Sequence, residues 1–122
     1  QEYFQNTGVR CRLDVPAELP DHAISTEERH NLFMAVKEAF NNVLKHAGAT
    51  EVHVELTVSG NLLTIIIADN GRGVSPDLNG PAGDGLVNMK QRLQQIGGRF
   101  AFKSAPGVGT TITLEARGKW SA

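Results

Sequence analysis

Residues 62–73 read LLTIIIADNGRG, an apolar run that ends in an acidic residue and two glycines. Residues 62–68 are apolar apart from one threonine, which is typical of a strand that is buried on both faces and lies centrally in a sheet. Asp69 follows this run directly, and glycines come at positions 71 and 73. No further strand pattern follows within hairpin distance, so a simple hairpin turn is disfavoured. The sequence therefore predicts a carboxylate at the exit of a central strand.

The pattern around this strand predicts the order β-α-β-β-loop-α-β-β. This is an α/β fold, a two-layer sandwich in which two helices cover one face of a mixed sheet and leave the other face wet. Ser59-Gly60-Asn61 predicts a hairpin turn, and Pro76, Gly80 and Pro81 indicate a long loop. The predicted strands carry Val9, Cys11, Leu13 and Val15; Val52, Val54, Leu56 and Val58; Phe100 and Phe102; and Ile112 and Leu114.

Both predicted helices have recognisable ends. The first begins near a capping box of Ser25 and Glu28 and continues to about His46. The second begins at Leu86 and stops at Gly97-Gly98. The expected apolar faces are Leu32, Phe33, Val36, Phe40, Val43 and Leu44 on the first helix, and Leu86, Met89, Leu93 and Ile96 on the second.

Composition excludes several classes of protein. The chain has 122 residues, 40% of them hydrophobic, which suits one globular domain. Its formal net charge of −1 gives no global basic field for nucleic acid. One cysteine, Cys11, excludes an intramolecular disulfide and a Cys-cluster metal site. There is no signal peptide pattern and no long apolar span, so a cytoplasmic location is expected.

A polar stripe marks the first helix. Glu38, Asn42 and Lys45 are spaced i, i+4, i+7 and share one face. The ordinary interpretation is the solvated side of an amphipathic helix. Asparagine is a poor helix former, however, and carboxylate and amide oxygens suit Mg²⁺. Lys45 would neutralise phosphate charge one turn away.

Two glycine segments add to this stripe. Asp69 must find hydrogen-bond donors, of which an adenine amino group is one, and Gly71 and Gly73 allow a flat base to approach the backbone. Gly83-Asp84-Gly85 precedes Leu86 at a helix N-terminus, where free N–H groups attract phosphate. Asp84 opposes this, because a carboxylate there competes with phosphate. Each segment alone is also compatible with ordinary turn chemistry.

Taken together, these segments resemble the ATP-binding catalytic domain of sensor histidine kinases, within the Bergerat-fold (GHKL) ATPases. The resemblance covers roughly residues 9–116. Within the family, the chain is most similar in its motifs to the kinases that are paired with helix-turn-helix response regulators. Residues 38–47 resemble the family's N box, 69–74 its first glycine box, 83–89 its second, and 107–111 its closing glycine-threonine motif.

The resemblance implies roles for individual residues. Asp69 would bind the adenine amino group, and Gly71, Gly73, Val74 and Thr110 would surround the base. Asn42 would ligate Mg²⁺, and Glu38 would hold or polarise a metal-bound water. Lys45 would contact phosphate, with His46 beside the nucleotide. Gly83, Gly85 and the backbone at Leu86 would hold the phosphates under a lid of residues 75–84.

The resemblance also implies the reaction and the partners. The cofactors would be ATP and Mg²⁺, and the γ-phosphoryl would pass to a histidine on a separate helical dimerisation domain and then to a response-regulator aspartate. His30 lies inside the predicted first helix and is rejected as the acceptor. Residues 1–122 are therefore expected to be one domain of a longer, homodimeric kinase, which contacts a membrane only through its other parts and contacts no nucleic acid directly.

Three alternatives remain open at this point. An anti-sigma-factor serine kinase shares the fold and the boxes. A degenerate domain would bind a partner but not ATP, and Asp84 keeps this alternative open. An ATPase switch of the chaperone or topoisomerase type would usually need further domains and a longer lid.

Overall fold

The computed structural model describes residues 10–14, 26–43, 50–59, 62–71, 83–105 and 108–117. Within these residues the predicted order of elements is confirmed. The elements are β1 (Arg10–Asp14), α1 (Thr26–Asn42), β2 (Glu51–Ser59), β3 (Leu62–Asp69), α2 (Gly83–Gln95), β4 (Arg99–Ala105) and β5 (Gly109–Arg117).

The described strands form one mixed sheet in the order β1-β2-β3-β5-β4. β1 runs parallel to β2, and the other pairs are antiparallel. β3 lies at the centre, as its two apolar faces predict. Its pairing with β2 brings Ser59 opposite Leu62, which confirms the predicted hairpin.

Both helices cover the same face of this sheet. The core contains Ile65 and Ile67 of β3, with Met89 and Leu93 of α2 fully buried against the strands. On the opposite face, Thr64 and Ile66 are only half-buried. The α/β two-layer architecture with one wet face is therefore confirmed.

The apolar face of α1 differs from the prediction at one position. Leu32, Ala35, Ala39 and Val43 are buried, but Phe33 is 63% exposed. Successive residues of an α-helix are rotated by about 100°, so Phe33 points well away from the row that Leu32 begins. The small residues Ala35 and Ala39 continue the buried row instead, and a pattern of large apolar side chains does not include them.

The first strand also differs from the prediction. β1 is an edge strand that pairs only with β2 in the described sheet. Cys11 is half-buried, but Leu13 is 42% exposed and does not join the core. The alternation correctly predicts a strand, while the burial depends on how far the helices extend over the sheet. Val9 and Val15 lie outside the described residues.

α2 ends where its sequence predicts. The N–H of Gly98 donates to the carbonyl of Leu93 at 2.7 Å, and the N–H of Gly97 donates to the carbonyl of Gln94 at 3.1 Å. Gly97 has a φ of 70°. These bonds and this left-handed residue form a Schellman motif, which satisfies carbonyls at the helix end.

The start of α2 lies earlier than predicted. The helix begins at Gly83 rather than Leu86, so Gly83-Asp84-Gly85 forms its first turn. Residues 83 and 84 therefore belong to the helix and not to the predicted lid of residues 75–84, whose other residues lie outside the described part of the chain. The first four N–H groups of a helix have no intrahelical partner, and here they belong to residues 83–86.

Candidate functional site

Asp69 and Thr110 lie opposite each other at one end of the sheet. They form the last residue pair between β3 and β5. Ile67 and Ile112, two residues inward, form a buried pair, so Asp69 and Thr110 share the helix-covered face. The glycine box and the glycine-threonine motif, which are far apart in sequence, therefore meet in the structure.

The Asp69 carboxylate is half-buried and has backbone partners. The N–H of Gly71 donates to Asp69 Oδ1 at 2.8 Å. Burial raises the pKa of Asp69 above its usual range, while hydrogen bonds from the backbone of Gly71 and Thr110 oppose this rise. An ionised carboxylate offers about four lone-pair sites, so it can accept further hydrogen bonds from a ligand.

Close backbone contact holds this end of the sheet together. Gly109 has a φ of 137°, and a Cβ built on it would lie 2.0 Å from the backbone oxygen of Asp69. Any side chain at this position would push β5 away from β3. The glycine of the closing motif is thus required by the geometry that brings Thr110 opposite Asp69.

The N-terminus of α2 points toward the same end of the sheet. The C-terminal end of α2 lies at the opposite end, because Gly98 packs against Glu115. From there the helix runs antiparallel to β4, and a groove between the two is lined by Leu86, Val87, Lys90, Gln91, Gln94, Phe100 and Phe102. The first turn, with Gly83, Gly85 and Leu86, therefore lies toward the Asp69–Thr110 end.

The C-terminal end of α1 lies on this side as well. Arg92, in the last turn of α2, donates from Nη1 to Oδ1 of Asn31 in the first half of α1 at 3.2 Å. The two helices pack against each other, so the end of α1 lies toward the start of α2. Glu38 and Asn42 are both half-buried there, four residues apart on one face.

Several predicted site residues are not described. Lys45, His46, Gly73 and Val74 lie outside the described residues. α1 is bounded at Thr26–Asn42, Val43 continues in a helical conformation, and residues 44–49 lie outside the described part of the chain. The mid-helix position of Asn42 and the helix end near His46 therefore both remain predictions.

Asn70 is a structural residue that the motif search did not single out. Its Oδ1 accepts from the N–H groups of Thr50 at 3.0 Å and Glu51 at 2.9 Å, and its Nδ2 donates to Thr50 Oγ1 at 3.0 Å. Its own N–H donates to the Glu51 carbonyl at 3.2 Å. The side chain thus ties the exit of β3 to the start of β2. An Asn-Gly pair looks like an ordinary turn in sequence, which is why this role was missed.

Replacing Asn70 with alanine is expected to lower the free energy of unfolding by about 1–2 kcal/mol, because three hydrogen bonds in a solvent-accessible place are lost. Asn70→Asp keeps an acceptor for both N–H groups and is expected to retain most of the stability. Urea unfolding of the two variants beside the wild type measures this. Equal destabilisation by both variants would contradict a role for the two backbone bonds.

A second polar cluster lies on the other face of the sheet. Ligand atoms of Asp14, His53 and Glu55 come within 4.8 Å of one another, and His53 Nε2 lies 2.6 Å from Asp14 Oδ2. Sequence spacing could not reveal this group, because Asp14 and His53 meet only through the pairing of β1 with β2. It lies on the face away from the helices and does not join the Asp69–Thr110 site.

Comparisons with known proteins agree with this geometry. The profile of the family described as histidine kinase-, DNA gyrase B-, and HSP90-like ATPase matches residues 27–118. The sensor histidine kinase LiaS of Bacillus subtilis is 35% identical over 103 residues, which are 84% of this chain and 29% of LiaS. The sensor protein VraS of Staphylococcus aureus is 35% identical over 104 residues, which are 85% of this chain and 30% of VraS.

The fold itself is shared with solved kinases. Full-length ShkA, crystallised in complex with AMPPNP, superposes with a TM-score of 0.77 at 22% identity and covers 99% of this chain and 28% of ShkA. The chain thus spans about three tenths of the length of the curated relatives it matches. No helix in the described ranges is long and apolar enough to cross a membrane. The chain belongs to the histidine kinase-, DNA gyrase B- and HSP90-like ATPase family and is an ATP-binding catalytic domain of the sensor histidine kinase type.

Proposed function

We propose that this domain binds Mg-ATP at the Asp69–Thr110 end of the sheet and presents its γ-phosphoryl to a histidine on a separate helical dimerisation domain. The observation that carries the proposal is the half-buried Asp69 carboxylate, which is paired with Thr110 at the end of the sheet toward which the first turn of α2 lies. The AMPPNP in the ShkA complex supports a nucleotide at the corresponding fold. The sensor kinase relatives support the phosphoryl acceptor.

The base end of the nucleotide would contact Asp69. The carboxylate accepts hydrogen bonds and donates none when ionised, so it suits the exocyclic amino group of adenine. Gly71 has no side chain to obstruct the base, and Thr110 adds a hydroxyl. Gly73 and Val74 belong to the same sequence motif as Asp69 and would border the base. The residues present therefore fit an adenine nucleotide.

The phosphate end would lie between the two helices. The N–H groups at Gly83, Gly85 and Leu86, which have no partner within the helix, suit phosphate oxygens. Lys45 would neutralise charge, and His46 would lie beside the nucleotide. Glu38 and Asn42 offer carboxylate and amide oxygens, which are ligand types for Mg²⁺. Bound there, Mg²⁺ would screen the phosphate charge.

The reaction we propose is phosphoryl transfer by positioning. A ring nitrogen of the acceptor histidine attacks the γ-phosphorus, the bond to the bridging oxygen of ADP breaks, and the ring proton leaves to solvent. The phosphoryl then passes to an aspartate of a response regulator. We assign Glu38 to the metal-bound water and not to a general base, because the nucleophile here is a histidine nitrogen. The parent kinase would be a homodimer that acts in the cytoplasm, and by itself this domain would bind nucleotide but phosphorylate little.

Replacing Asn42 with alanine tests the metal assignment. We expect the wild-type domain to bind Mg-ATP more tightly than ATP in EDTA, and Asn42→Ala to reduce that advantage by about tenfold, the size expected for one strong polar contact. Titration calorimetry with and without Mg²⁺ measures it. Asn41→Ala is the matched control, since it makes the same change one residue away on a different side of the helix.

Three results would contradict the proposal. Full Mg²⁺ dependence in Asn42→Ala would place the metal elsewhere, and a folded wild type that binds no nucleotide would favour the degenerate, partner-binding alternative. In the parent kinase, acid-labile phosphorylation indicates phosphohistidine. An acid-stable product would favour the serine kinase alternative.

A further inference from the structure

A third polar side chain extends the Asp69–Thr110 pair across the sheet. Ser104 of β4 lies opposite Thr110 of β5, which lies opposite Asp69 of β3. Residues that face each other across antiparallel strands project to the same side. The three side chains therefore form one row on the helix-covered face, which we call the 104–110–69 row.

The two hydroxyl groups of this row contact each other. Ser104 Oγ lies 3.1 Å from Thr110 Oγ1, and it also donates to the Gly109 carbonyl at 3.4 Å. A hydroxyl has one proton to donate and two lone pairs to accept with. Either hydroxyl could donate across the 3.1 Å contact. The arrangement on which the inference depends is the one in which Ser104 donates to Gly109 and accepts the proton of Thr110.

Burial makes the direction of the Thr110 proton matter. Thr110 is only 5% exposed, so bulk water is not freely available as an alternative partner for its hydroxyl. With that proton directed to Ser104, Thr110 Oγ1 offers only lone pairs to a ligand. The ionised Asp69 carboxylate beside it likewise only accepts.

We propose that Ser104 is a specificity-determining positioning residue, which holds the Thr110 proton away from the ligand and so makes the base end of the site accept hydrogen bonds only. Such a site favours a purine with an exocyclic amino group at its sixth position and disfavours one with a carbonyl oxygen there. This inference rests on the proposed function, and it concerns which base the site selects.

Removing the Ser104 hydroxyl should relax this selection. In Ser104→Ala the Thr110 proton is free to turn toward the ligand, where it can donate to the carbonyl of guanine. We expect the preference for Mg-ATP over Mg-GTP, measured as a ratio of dissociation constants by calorimetry, to fall about threefold to tenfold, the worth of one neutral hydrogen bond. Ser104→Thr keeps the hydroxyl and should retain the wild-type preference for Mg-ATP over Mg-GTP.

Thr110→Val removes the proton in question and completes a double-mutant cycle. Adding Ser104→Ala to Thr110→Val should leave the ATP-to-GTP ratio unchanged, because Ser104 acts through Thr110. If Ser104 only supported the pairing of β4 with β5, Ser104→Ala would lower the unfolding midpoint. It would then weaken the binding of both nucleotides equally and leave the ATP-to-GTP ratio unchanged. Ser104→Cys, which nearly keeps the side-chain volume, should lower the ratio like alanine and serves if the alanine variant folds poorly.

The possible outcomes distinguish a failure of the role proposed for Ser104 from a failure of the proposed nucleotide-binding function. An unchanged ratio in Ser104→Ala and Ser104→Cys, with a wild type that binds ATP, would overturn the role of Ser104 alone. The role of Ser104 would also be overturned if Ser104→Ala changed the ATP-to-GTP ratio equally in the wild type and in the Thr110→Val background. A wild type that binds neither nucleotide would overturn the proposed function as well.

Discussion

Replacing Asp69 with asparagine is expected to weaken the binding of Mg-ATP by roughly 100-fold or more, the size of a lost charge-assisted hydrogen bond with a wrongly placed donor. The amide oxygen would keep the bond that the Gly71 N–H now makes to Asp69 Oδ1. The amide nitrogen would then face the exocyclic amino group of adenine, donor against donor. Titration calorimetry of Mg-ATP into both proteins measures the loss.

The matched control is Asp14→Asn, the same substitution on the far face of the sheet. It should change nucleotide affinity by less than about twofold, because surface substitutions away from a site have small effects. Asp69→Asn that binds within threefold of the wild type would show that this carboxylate does not recognise the base.

Unfolding of Asp69→Asn would not account for its weaker binding of Mg-ATP, because the raised pKa of Asp69 predicts that this substitution does not destabilise the fold. Burial raises this pKa in the folded state. A raised pKa means that the stabilisation from protonated Asp69 is complete below the ordinary aspartate pKa and is lost as the pH rises through the raised value. Relative to wild type, Asp69→Asn should therefore gain stability over that pH window. Chemical unfolding at several pH values checks the sign.

Replacing Gly109 with alanine is expected to cost about 3 kcal/mol or more of unfolding free energy. Two effects add here, a φ of 137° that favours glycine and a Cβ only 2.0 Å from the backbone oxygen of Asp69. Relief requires β5 to move away from β3, which separates Thr110 from Asp69. Chemical unfolding gives the stability, and wherever the variant remains folded, nucleotide affinity should fall as well.

Gly97→Ala separates these two effects. Gly97 also has a positive φ, 70°, but a Cβ there would meet nothing within 4 Å. We expect it to cost about 1 kcal/mol, the penalty for the left-handed conformation alone. Equal costs for the two variants would mean that the close contact with Asp69 relaxes without penalty.

Local sequence patterns predicted much of the fold because local chemistry dictates those parts. The run before Asp69 is apolar on both faces, which correctly predicts the central position of β3, although its second face is only half-buried. Gly97-Gly98 ends α2 because a left-handed residue is needed there. Side-chain burial could not be predicted in the same way. Leu13 and Phe33 both fit an apolar pattern, yet both are exposed, because burial depends on where the sheet ends and how α1 is rotated.

The site was predicted as separate motifs and not as a geometry. Sequence indicated Asp69 and Thr110 through different boxes, and only the register of β3 with β5 makes them opposite neighbours. Asn31 and Arg92 are 61 residues apart, and their contact depends on how two helices pack. Ser104 belongs to none of the sequence motifs, because its proposed role depends on Thr110, which lies opposite it on the neighbouring strand. Long-range pairing carries this information, and spacing along the chain does not.

The two edge strands have a consequence for how copies of this domain behave at high concentration. In the described sheet β1 and β4 are outermost, and edge strands invite pairing with other chains. Every second residue of β1 is charged, namely Arg10, Arg12 and Asp14. β4 carries two basic residues, Arg99 and Lys103. The charged side chains on these edge strands oppose edge-to-edge pairing of one domain with the next, because a continuous sheet would partly remove their hydration. We therefore expect the charged side chains of these two described edge strands to oppose association of domains through their sheets.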